Sequence, residues 1–430
     1  MRFLSHFSMG IALATAGALT VTAFPAEVQA QKKKKQKKQK PPKVSKEFSA
    51  QAGPVQKAIE GEDLASAKPM VESLVAQPWT GYDKFVAGQF AVNLGGKLKD
   101  TSLQELGLGA MVDSGFTPAE QLGQFNFYLG NFAYGAGRWA DAQQKFQTAF
   151  DLGYRSNNIG ALMAEAFFKE NKFQQGLSAL DAAIAAASAT NGRASEDWYL
   201  RGAGIAMKSN VPALAAEWTY KLAEAYPTGK NWRAALSVYR DSAKLDDQQN
   251  LELMRLMRKA DAMESERDYF EYADAAGPRK LPGEVVSVLE EGIAKGSVRG
   301  NTAYTKETLS LARGAISADK ASLPASERDA ARSANGKIAL ATADAYLAYA
   351  DYQKAATMYQ TAVSKGGIDT ARAQMGVGIA QAGQGNWDAA KQAFSGVTGT
   401  RKSVADFWNL WIAQQAAPAA AAAPVAPSAS

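Results

Sequence analysis

The side chains that most often carry out catalysis are scarce in this sequence. Its 430 residues include no cysteine and a single histidine, His6. A thiolate nucleophile, an imidazole base and the usual zinc ligands are therefore missing from almost the entire chain. We expect no cofactor and no metal site. Any catalysis would have to use Asp and Glu carboxylates, as glycoside hydrolases do.

Three short patterns resemble catalytic or binding motifs, and none of them is complete. Ser317 and Lys320 have the Ser-x-x-Lys spacing of some acyl-transfer enzymes, but the companion Ser-Asp-Asn and Lys-Thr-Gly motifs are absent. The glycines within 376–385 follow no predicted strand and lack the spacing that binds phosphate. Asp246 and Asp247 are adjacent, so on a helix their carboxylates would point apart. The sequence thus predicts a protein that is not an enzyme.

A spaced pattern of small and large apolar residues occurs twice between Gly123 and Ala183. The residue pairs, all separated by the same interval, are Gly130 and Ala164, Trp139 and Phe173, Phe146 and Leu180, and Ala149 and Ala183. Ala142, Phe146 and Ala149 follow the i, i+4, i+7 spacing of a single helical face. One helical hairpin cannot bury such a face alone, so the pattern predicts hairpins that stack on one another.

This order of residues resembles the tetratricopeptide repeat (TPR), a helix-turn-helix unit of about 34 residues. Trp198 recurs at the same interval as Trp232, and Tyr352 recurs as Trp387 at an interval one position longer. The resemblance implies an all-α fold, a TPR-like α-solenoid in which helix-turn-helix repeats form a superhelix. It also implies a non-catalytic scaffold that binds a protein or peptide partner in its concave face.

Residues 1–30 have the three parts of a secretory signal peptide. Arg2 precedes an apolar run, Ile11–Val21, and Val28-Gln29-Ala30 is a small-residue cleavage pattern. We therefore expect cleavage after Ala30 and a periplasmic or secreted protein of the bacterial exported type. The lysines that follow resist translocation, which leaves an uncleaved, cytoplasm-facing anchor as the alternative.

Residues 31–46 carry nine lysines and no acidic residue. Since the chain totals +6 and Arg2 and Glu27 cancel, residues 47–430 carry a net charge of −3. We expect 31–46 to be a disordered arm, either a solvated spacer or a weak attachment of Lys32–Lys46 to an anionic membrane or polymer. Nucleic acid is not an expected partner of an exported chain, although a nucleic-acid-associated protein is the alternative if the chain is cytoplasmic.

Repeat pattern and composition divide the chain into seven segments. They are a signal peptide (1–30), a lysine-rich arm (31–46), divergent TPR-like hairpins (47–115), TPR repeats (116–262), degenerate helical repeats (263–335), C-terminal TPR repeats with a capping helix (336–415) and an Ala/Pro-rich disordered tail (416–430). We expect Thr117 to cap a helix and Leu323-Pro324 to end one. The tryptophans expected in the core are Trp139, Trp198, Trp232 and Trp387.

The TPR resemblance also implies which side chains line the concave face, because family members bind through the inner face of each first helix. The implied partner-binding residues are Gln124, Phe127, Asn131, Tyr134, Asn158, Glu165, Phe168, Glu196 and Tyr199. In the copy that begins at Gly336, the same positions are Lys337, Leu340, Asp344 and Leu347. The alternative from another class is an envelope-polymer hydrolase with two Asp or Glu carboxylates about 5–10 Å apart.

Overall fold

A computed structural model describes residues 42–61, 63–155 and 159–416 of the chain. Within these ranges there are twenty α-helices, one short 3₁₀ helix and no β-strand. The chain divides into two compact units, unit 1 up to Ala194 and unit 2 from Ser195 onwards. Each unit is built from consecutive antiparallel helices, which confirms the all-α, TPR-like solenoid fold that the sequence predicts.

Unit 1 contains four helix pairs. They are α1 (Lys46–Glu60) with α2 (Leu64–Ala76), α3 (Gly81–Leu98) with α4 (Thr101–Asp113), α5 (Ala119–Gly135) with α6 (Trp139–Asp151), and α7 (Ile159–Lys169) with α8 (Phe173–Asn191). The hydroxyl of Ser45 accepts a hydrogen bond from the backbone N–H of Phe48, so Ser45 is the N-cap of α1. Lys46, predicted to end a disordered arm, is therefore the first residue of the first helix.

The recurring glycines of the repeat pattern are contact points between the two helices of a hairpin. A Cβ atom on Gly130 would lie 2.6 Å from the ring of Phe146, and one on Gly378 would lie 2.4 Å from the ring of Phe394. In both pairs the aromatic residue follows the glycine at the same interval along the chain. The large ring can approach the opposite helix only because the glycine has no side chain, which explains the small-then-large spacing.

Unit 2 contains the remaining helices. They are α9 (Glu196–Lys208), α10 (Pro212–Ala225), α11 (Gly229–Ser242), α12 (Asp247–Lys259), α13 (Glu266–Ala276), α14 (Pro282–Ala294), α15 (Ala303–Arg332), α16 (Lys337–Ala348), α17 (Tyr352–Lys365), α18 (Thr370–Gly383), α19 (Trp387–Ser395), a 3₁₀ turn (Gly399–Arg401) and α20 (Lys402–Ala416). Unlike the amphipathic helices of the repeats, α12 is buried on every side from Leu251 to Met257. This burial shows that α12 runs through the interior of unit 2.

The predicted helix break at Leu323-Pro324 is wrong. Helix α15 continues for 30 residues, and Pro324 lies exposed within it. Proline removes one backbone N–H donor, at a cost of about 3 kcal/mol in a helix interior. Buried residues on both sides of the proline, including Leu309 and Ala330, pack α15 against the neighbouring α14 and α16. This packing holds the helix together where local propensity would end it.

Two further sequence predictions need correction. Helix α5 begins at Ala119 after Pro118, and the Thr117 hydroxyl donates a 2.7 Å hydrogen bond to the carbonyl of Met111 instead of capping α5. Among the tryptophans expected in the core, Trp232 is fully buried, whereas Trp139, Trp198 and Trp387 are half-buried. Trp139 and Trp387 are the first residues of α6 and α19, so both lie at the ends of their helices.

The C-terminal helix α20 packs on the last repeat, as expected of a capping helix. Trp408 stacks on Phe394 with ring centroids 5.7 Å apart, and Trp411 meets Trp387 edge to face at 5.8 Å. Helix α20 also contacts α11, near the start of unit 2, because the ring centroids of Phe407 and Tyr239 are 5.2 Å apart. Helix α20 therefore joins the two ends of the unit 2 helix array.

Candidate partner-binding surface

In unit 1, one face of α5 presents polar side chains that are partly open to solvent. Gln124, Tyr128 and Asn131 follow the 4-then-3 spacing of a single helical stripe, and all three are half-buried. The Gln124 side-chain amide donates a 3.3 Å hydrogen bond to the Tyr128 hydroxyl. We name these three residues the α5 stripe. It combines two carboxamides with a phenol, and no charged group belongs to it.

Three residues predicted to line the concave face are buried instead. Phe127 is 1% exposed, Phe168 is 7% exposed and Tyr199 is 8% exposed. Phe127 stacks on Tyr154, with centroids 5.0 Å apart, and also contacts the core ring of Phe146. Apolar rings at these positions are covered by the neighbouring helices because each ring gains more from burial than from exposure. They stabilise the fold and are unavailable to a partner.

The other predicted contact residues have varied environments. Tyr134 is half-buried and packs edge to face on Trp139 at 5.0 Å, at the end of its own hairpin. Glu165 is half-buried on α7. In unit 2, Glu196 accepts a 2.9 Å hydrogen bond from Asn231 on the next hairpin. Asn158 and the proposed cleavage site at Ala30 lie outside the described residues. The structure thus leaves Gln124, Asn131, Tyr134 and Glu165 as accessible members in unit 1.

Unit 2 contains buried ion pairs between its helices. Arg255 on α12 makes a bidentate contact with Glu284 on α14, with both N–O distances at 2.7 Å. The Tyr272 hydroxyl donates to the same carboxylate at 2.7 Å. Burial is the largest single effect and would raise the pKa of Glu284, but the charge of Arg255, its hydrogen bonds, the hydrogen bond from Tyr272 and the charge of Arg258 together lower that pKa. This group is consequently ionised and fully paired.

A second buried group joins α16, α17 and α18. Asp344 on α16 accepts hydrogen bonds from the Tyr359 hydroxyl and from the Arg372 guanidinium. Asp344 is 9% exposed, and its predicted neighbours on the same face, Leu340 and Leu347, are 8% and 7% exposed. Lys337, the fourth predicted position, is exposed at the start of α16. Most of the expected concave face of this repeat is therefore interior, and a partner cannot reach Leu340, Asp344 or Leu347 in this conformation.

Arg401, just before α20, completes the network. Its guanidinium lies 2.7 Å from Asp369 at the start of α18 and 3.2 Å from Asp246 at the start of α12. Its Nε atom is 3.5 Å from the Glu252 carboxylate, without hydrogen-bond geometry. Burial raises the pKa of Glu252 to about 7, an effect that the charges of Arg401 and Arg255 offset only in part.

The sequence itself indicates that the residues of these buried ion pairs are unusual, although they are not part of the TPR repeat pattern. Glu252, Arg255 and Glu284 are charged residues within stretches otherwise rich in buried apolar side chains. Such residues are rarely buried unless they are paired. Their partners could not be named, because the ion pairs join positions 29 to 155 residues apart in the chain.

Two properties of the described residues bear on function. Across 42–61, 63–155 and 159–416, no group of three or more Asp, Glu, His or Cys side chains could hold a metal ion. Within the same ranges, no helix has the length and apolar character needed to cross a bilayer.

Comparison with known proteins gives fold-level similarity. No protein-family model matches the chain, and no curated protein does. A TPR protein from Parabacteroides merdae is 10% identical, with a TM-score of 0.28 over 69% of this chain and 99% of that one. The type IV pilus biogenesis factor PilW is 13% identical, with a TM-score of 0.24 over 62% of this chain and 100% of that one.

A third solved structure is the TPR2AB domain of yeast Sti1 in its complex with pHSP90. It is 14% identical to this chain, with a TM-score of 0.22 over 69% of this chain and 96% of that one. All three TM-scores are below 0.5.

Proposed function

We propose that this protein is an exported, non-catalytic scaffold of the cell envelope that binds a peptide segment of a protein partner on the α5 face of unit 1. The observation that carries the proposal is the α5 stripe, where Gln124, Tyr128 and Asn131 are partly open, whereas Leu340, Asp344 and Leu347 on α16 are buried. Tyr134, further along α5, and Glu165 on α7 are also half-buried and belong to the proposed binding surface.

The chemistry of the stripe suits a peptide backbone. A carboxamide carries both donors and an acceptor, so Gln124 and Asn131 can pair with the N–H and C=O groups of an extended segment. Tyr128 and Tyr134 add aromatic contact area, which is common among residues that dominate binding energy. The absence of charge within the stripe favours a neutral segment over a terminal carboxylate or a phosphate.

The alternative of a carboxylate-based hydrolase lacks support in the geometry. Glu252, the carboxyl whose raised pKa would suit a general acid, is 2% exposed. The indole of Trp408 donates to its backbone carbonyl, so helix α20 lies directly over this part of α12. A glycosidase needs two carboxylates facing a cleft that admits a polymer. Here Glu252 lies in a closed interior, and the nearby buried carboxylate of Glu284 is paired with Arg255.

Export and the lysine-rich arm belong to the proposal on sequence grounds. The signal pattern that ends at Ala30 supports a periplasmic or secreted location. The lysines between 32 and 40 would add weak, salt-sensitive attachment to an anionic membrane or polymer, at about 1 kcal/mol per lysine at most. Both statements concern residues outside the described ranges.

Peptide selection followed by mutagenesis tests the binding surface. Peptides selected from a random library on the chain from residue 31 onwards would be titrated against the parent and a Gln124→Ala/Asn131→Ala variant. Loss of two side-chain hydrogen bonds, each contributing about 0.5–1.5 kcal/mol, should weaken binding roughly ten- to hundredfold. Both side chains are half-buried, so the free energy of unfolding should change by less than about 1 kcal/mol.

A matched control removes two carboxamides elsewhere. Gln144 on α6 and Gln175 on α8 are exposed, and a Gln144→Ala/Gln175→Ala variant should bind the selected peptides as the parent does. Equal affinity of the parent and the Gln124→Ala/Asn131→Ala variant would remove the α5 stripe as the binding surface.

A further inference from the structure

The groove that receives α20 in unit 2 is built like a site for a separate helix. Three aromatic rings surround Phe407, those of Tyr220 at 5.2 Å, Trp232 at 6.3 Å and Tyr239 at 5.2 Å. They come from α10 and α11, near the start of unit 2, whereas Phe407 belongs to its last helix. An anchor ring seated in an aromatic pocket on another part of the chain is the arrangement of helix-in-groove recognition.

Polar contacts fix the position of α20 along the groove. At its C-terminal end, the Gln414 amide donates to the Ala223 carbonyl at 2.9 Å and accepts from the Trp232 indole at 3.0 Å. Near its middle, the Trp408 indole donates to the Glu252 carbonyl at 3.2 Å. Just before its N-terminus, Arg401 pairs with Asp246. These hydrogen bonds and this ion pair, at three positions along α20, fix the direction and the register of the helix in the groove.

A short segment joins α20 to the rest of unit 2. Residues 396–398 link α19 to the 3₁₀ turn, and Gly399 has a φ of +70° with open space where a Cβ would lie. A glycine in the left-handed region lets the backbone change direction at low cost. Val397 before it is buried in the core, so the change of direction falls at Gly399. Helix α20 is the last described helix, so a rotation at Gly399 leaves the other described helices of unit 2 in place.

We propose that this groove, formed by α10, α11 and α12, is a helix-binding site that also accepts α20 of a second copy of this chain. The occupant is specified by the contacts in the structure, because α20 and the turn before it carry the aromatic anchor, the glutamine and the arginine that the groove binds. Exchange of an identical element replaces every contact with an equivalent one, so it costs little beyond association. The intramolecular helix has an effective concentration of about millimolar, so exchange increases as the protein concentration approaches that range.

The absence of cysteine makes the exchange measurable by disulfide trapping. Glu224 is exposed at the end of α10, and its carbonyl lies 3.4 Å from the Gln414 amide. Chains carrying Glu224→Cys and chains carrying Gln414→Cys would be mixed, incubated and oxidised over a range of concentrations. We expect a disulfide-linked heterodimer whose yield increases with concentration. A single chain with both substitutions should cross-link within itself, which checks that the two positions meet.

The control replaces Glu224→Cys by Arg313→Cys, an exposed position on α15. If cross-linking resulted only from random collision, the yield with Arg313→Cys would equal the yield with Glu224→Cys. A second experiment supplies α20 as a peptide, so that α20 of another chain does not have to leave its own groove. It uses a synthetic peptide of residues 399–416 with Gln414→Cys and a full chain with Glu224→Cys and Phe407→Ala, whose own α20 is weakened.

The peptide should cross-link to this chain at least tenfold faster than a peptide that also carries Phe407→Ala. The proposal would be overturned by two results together. The heterodimer yield with Glu224→Cys would equal that of the Arg313→Cys control, and the two peptides would cross-link at equal rates. Failure of the doubly substituted single chain to cross-link internally would overturn it as well, since α20 would then not occupy the groove.

Discussion

The pH dependence of unit 2 stability should be controlled by one carboxyl group, Glu252. The side chain is 2% exposed, and burial raises its pKa to about 7 from a usual value of 4.5. The charged groups that face it are Arg255 on its own helix, Arg401, Arg372 and Asp246. The arginines lower its pKa and Asp246 raises it, but desolvation remains the largest effect.

The sign follows from proton binding. Between pH 4.5 and pH 7 the folded chain holds a proton on Glu252 that the unfolded chain has lost, so stability falls as the pH rises through this interval. The difference between the two pKa values corresponds to about 3 kcal/mol, of which about 2.5 kcal/mol should be lost between pH 5 and pH 8. The described residues contain no histidine or cysteine, so the groups that usually titrate in this window are absent from them.

The assay is urea unfolding of the full chain at several pH values from 5 to 8, followed by tryptophan fluorescence. Six of the eight tryptophans belong to unit 2, so the signal reports mainly on that unit. The parent should lose about 2–3 kcal/mol across the range. A Glu252→Gln variant, which keeps the shape of the neutral acid, should show nearly constant stability.

Glu284→Gln is the matched control. Its carboxylate is also buried, but pairing with Arg255 lowers its pKa, so it stays ionised throughout the window. Removing one partner of this buried pair should cost about 3–5 kcal/mol at every pH and leave the slope in place. A parent whose stability does not change between pH 5 and pH 8, or a Glu252→Gln variant that keeps the slope, would refute the reasoning.

Further predictions concern the core and the N-terminal segment. Phe127→Ala should destabilise unit 1 by about 3–5 kcal/mol in thermal or urea unfolding, because the ring is fully buried. An unchanged melting temperature would contradict this core role and support the original assignment of Phe127 to the binding face. Gly378→Ala should destabilise unit 2 by roughly 1–3 kcal/mol, because its Cβ would overlap the Phe394 ring, whereas Gly314→Ala has open space and should not. Deleting residues 31–41 should abolish low-salt binding to anionic vesicles without changing the circular dichroism spectrum or melting temperature; binding that survives the deletion would exclude the arm. N-terminal sequencing of the exported protein should begin at Gln31, and a cytosolic protein that begins at Met1 would contradict export.

The repeat class could be predicted from the sequence because its determinants are local. Gly130 and Phe146 lie on the two helices of one hairpin, and the helical period places the residues around them on matching faces. The same reasoning applies to Gly378 and Phe394 in unit 2. A short-range pattern of this kind is specified by side-chain size and helix geometry alone.

The accessible surface could not be predicted in the same way, since exposure depends on what neighbouring helices cover. Phe127 occupies a position that the TPR resemblance assigns to a binding face, yet Tyr154 and Phe146 bury it. Asp344 is also assigned to a binding face but is buried, because Tyr359 and Arg372 form hydrogen bonds with it. The periodicity of a sequence predicts on which face of a helix a residue lies, but it does not predict whether a neighbouring helix or solvent covers that face.

The sequence by itself determined the helical repeats, the size pattern of their contacts and the scarcity of catalytic side chains. Only the tertiary structure decided that α20 returns to α10–α12 and that Arg255, Asp344 and Arg401 form buried ion pairs within unit 2. Arg401 meets Asp246 across 155 positions, and Gln414 meets Ala223 across 191. Contacts of this length leave no periodic trace in the chain, because they are selected by the packing of all the intervening helices together.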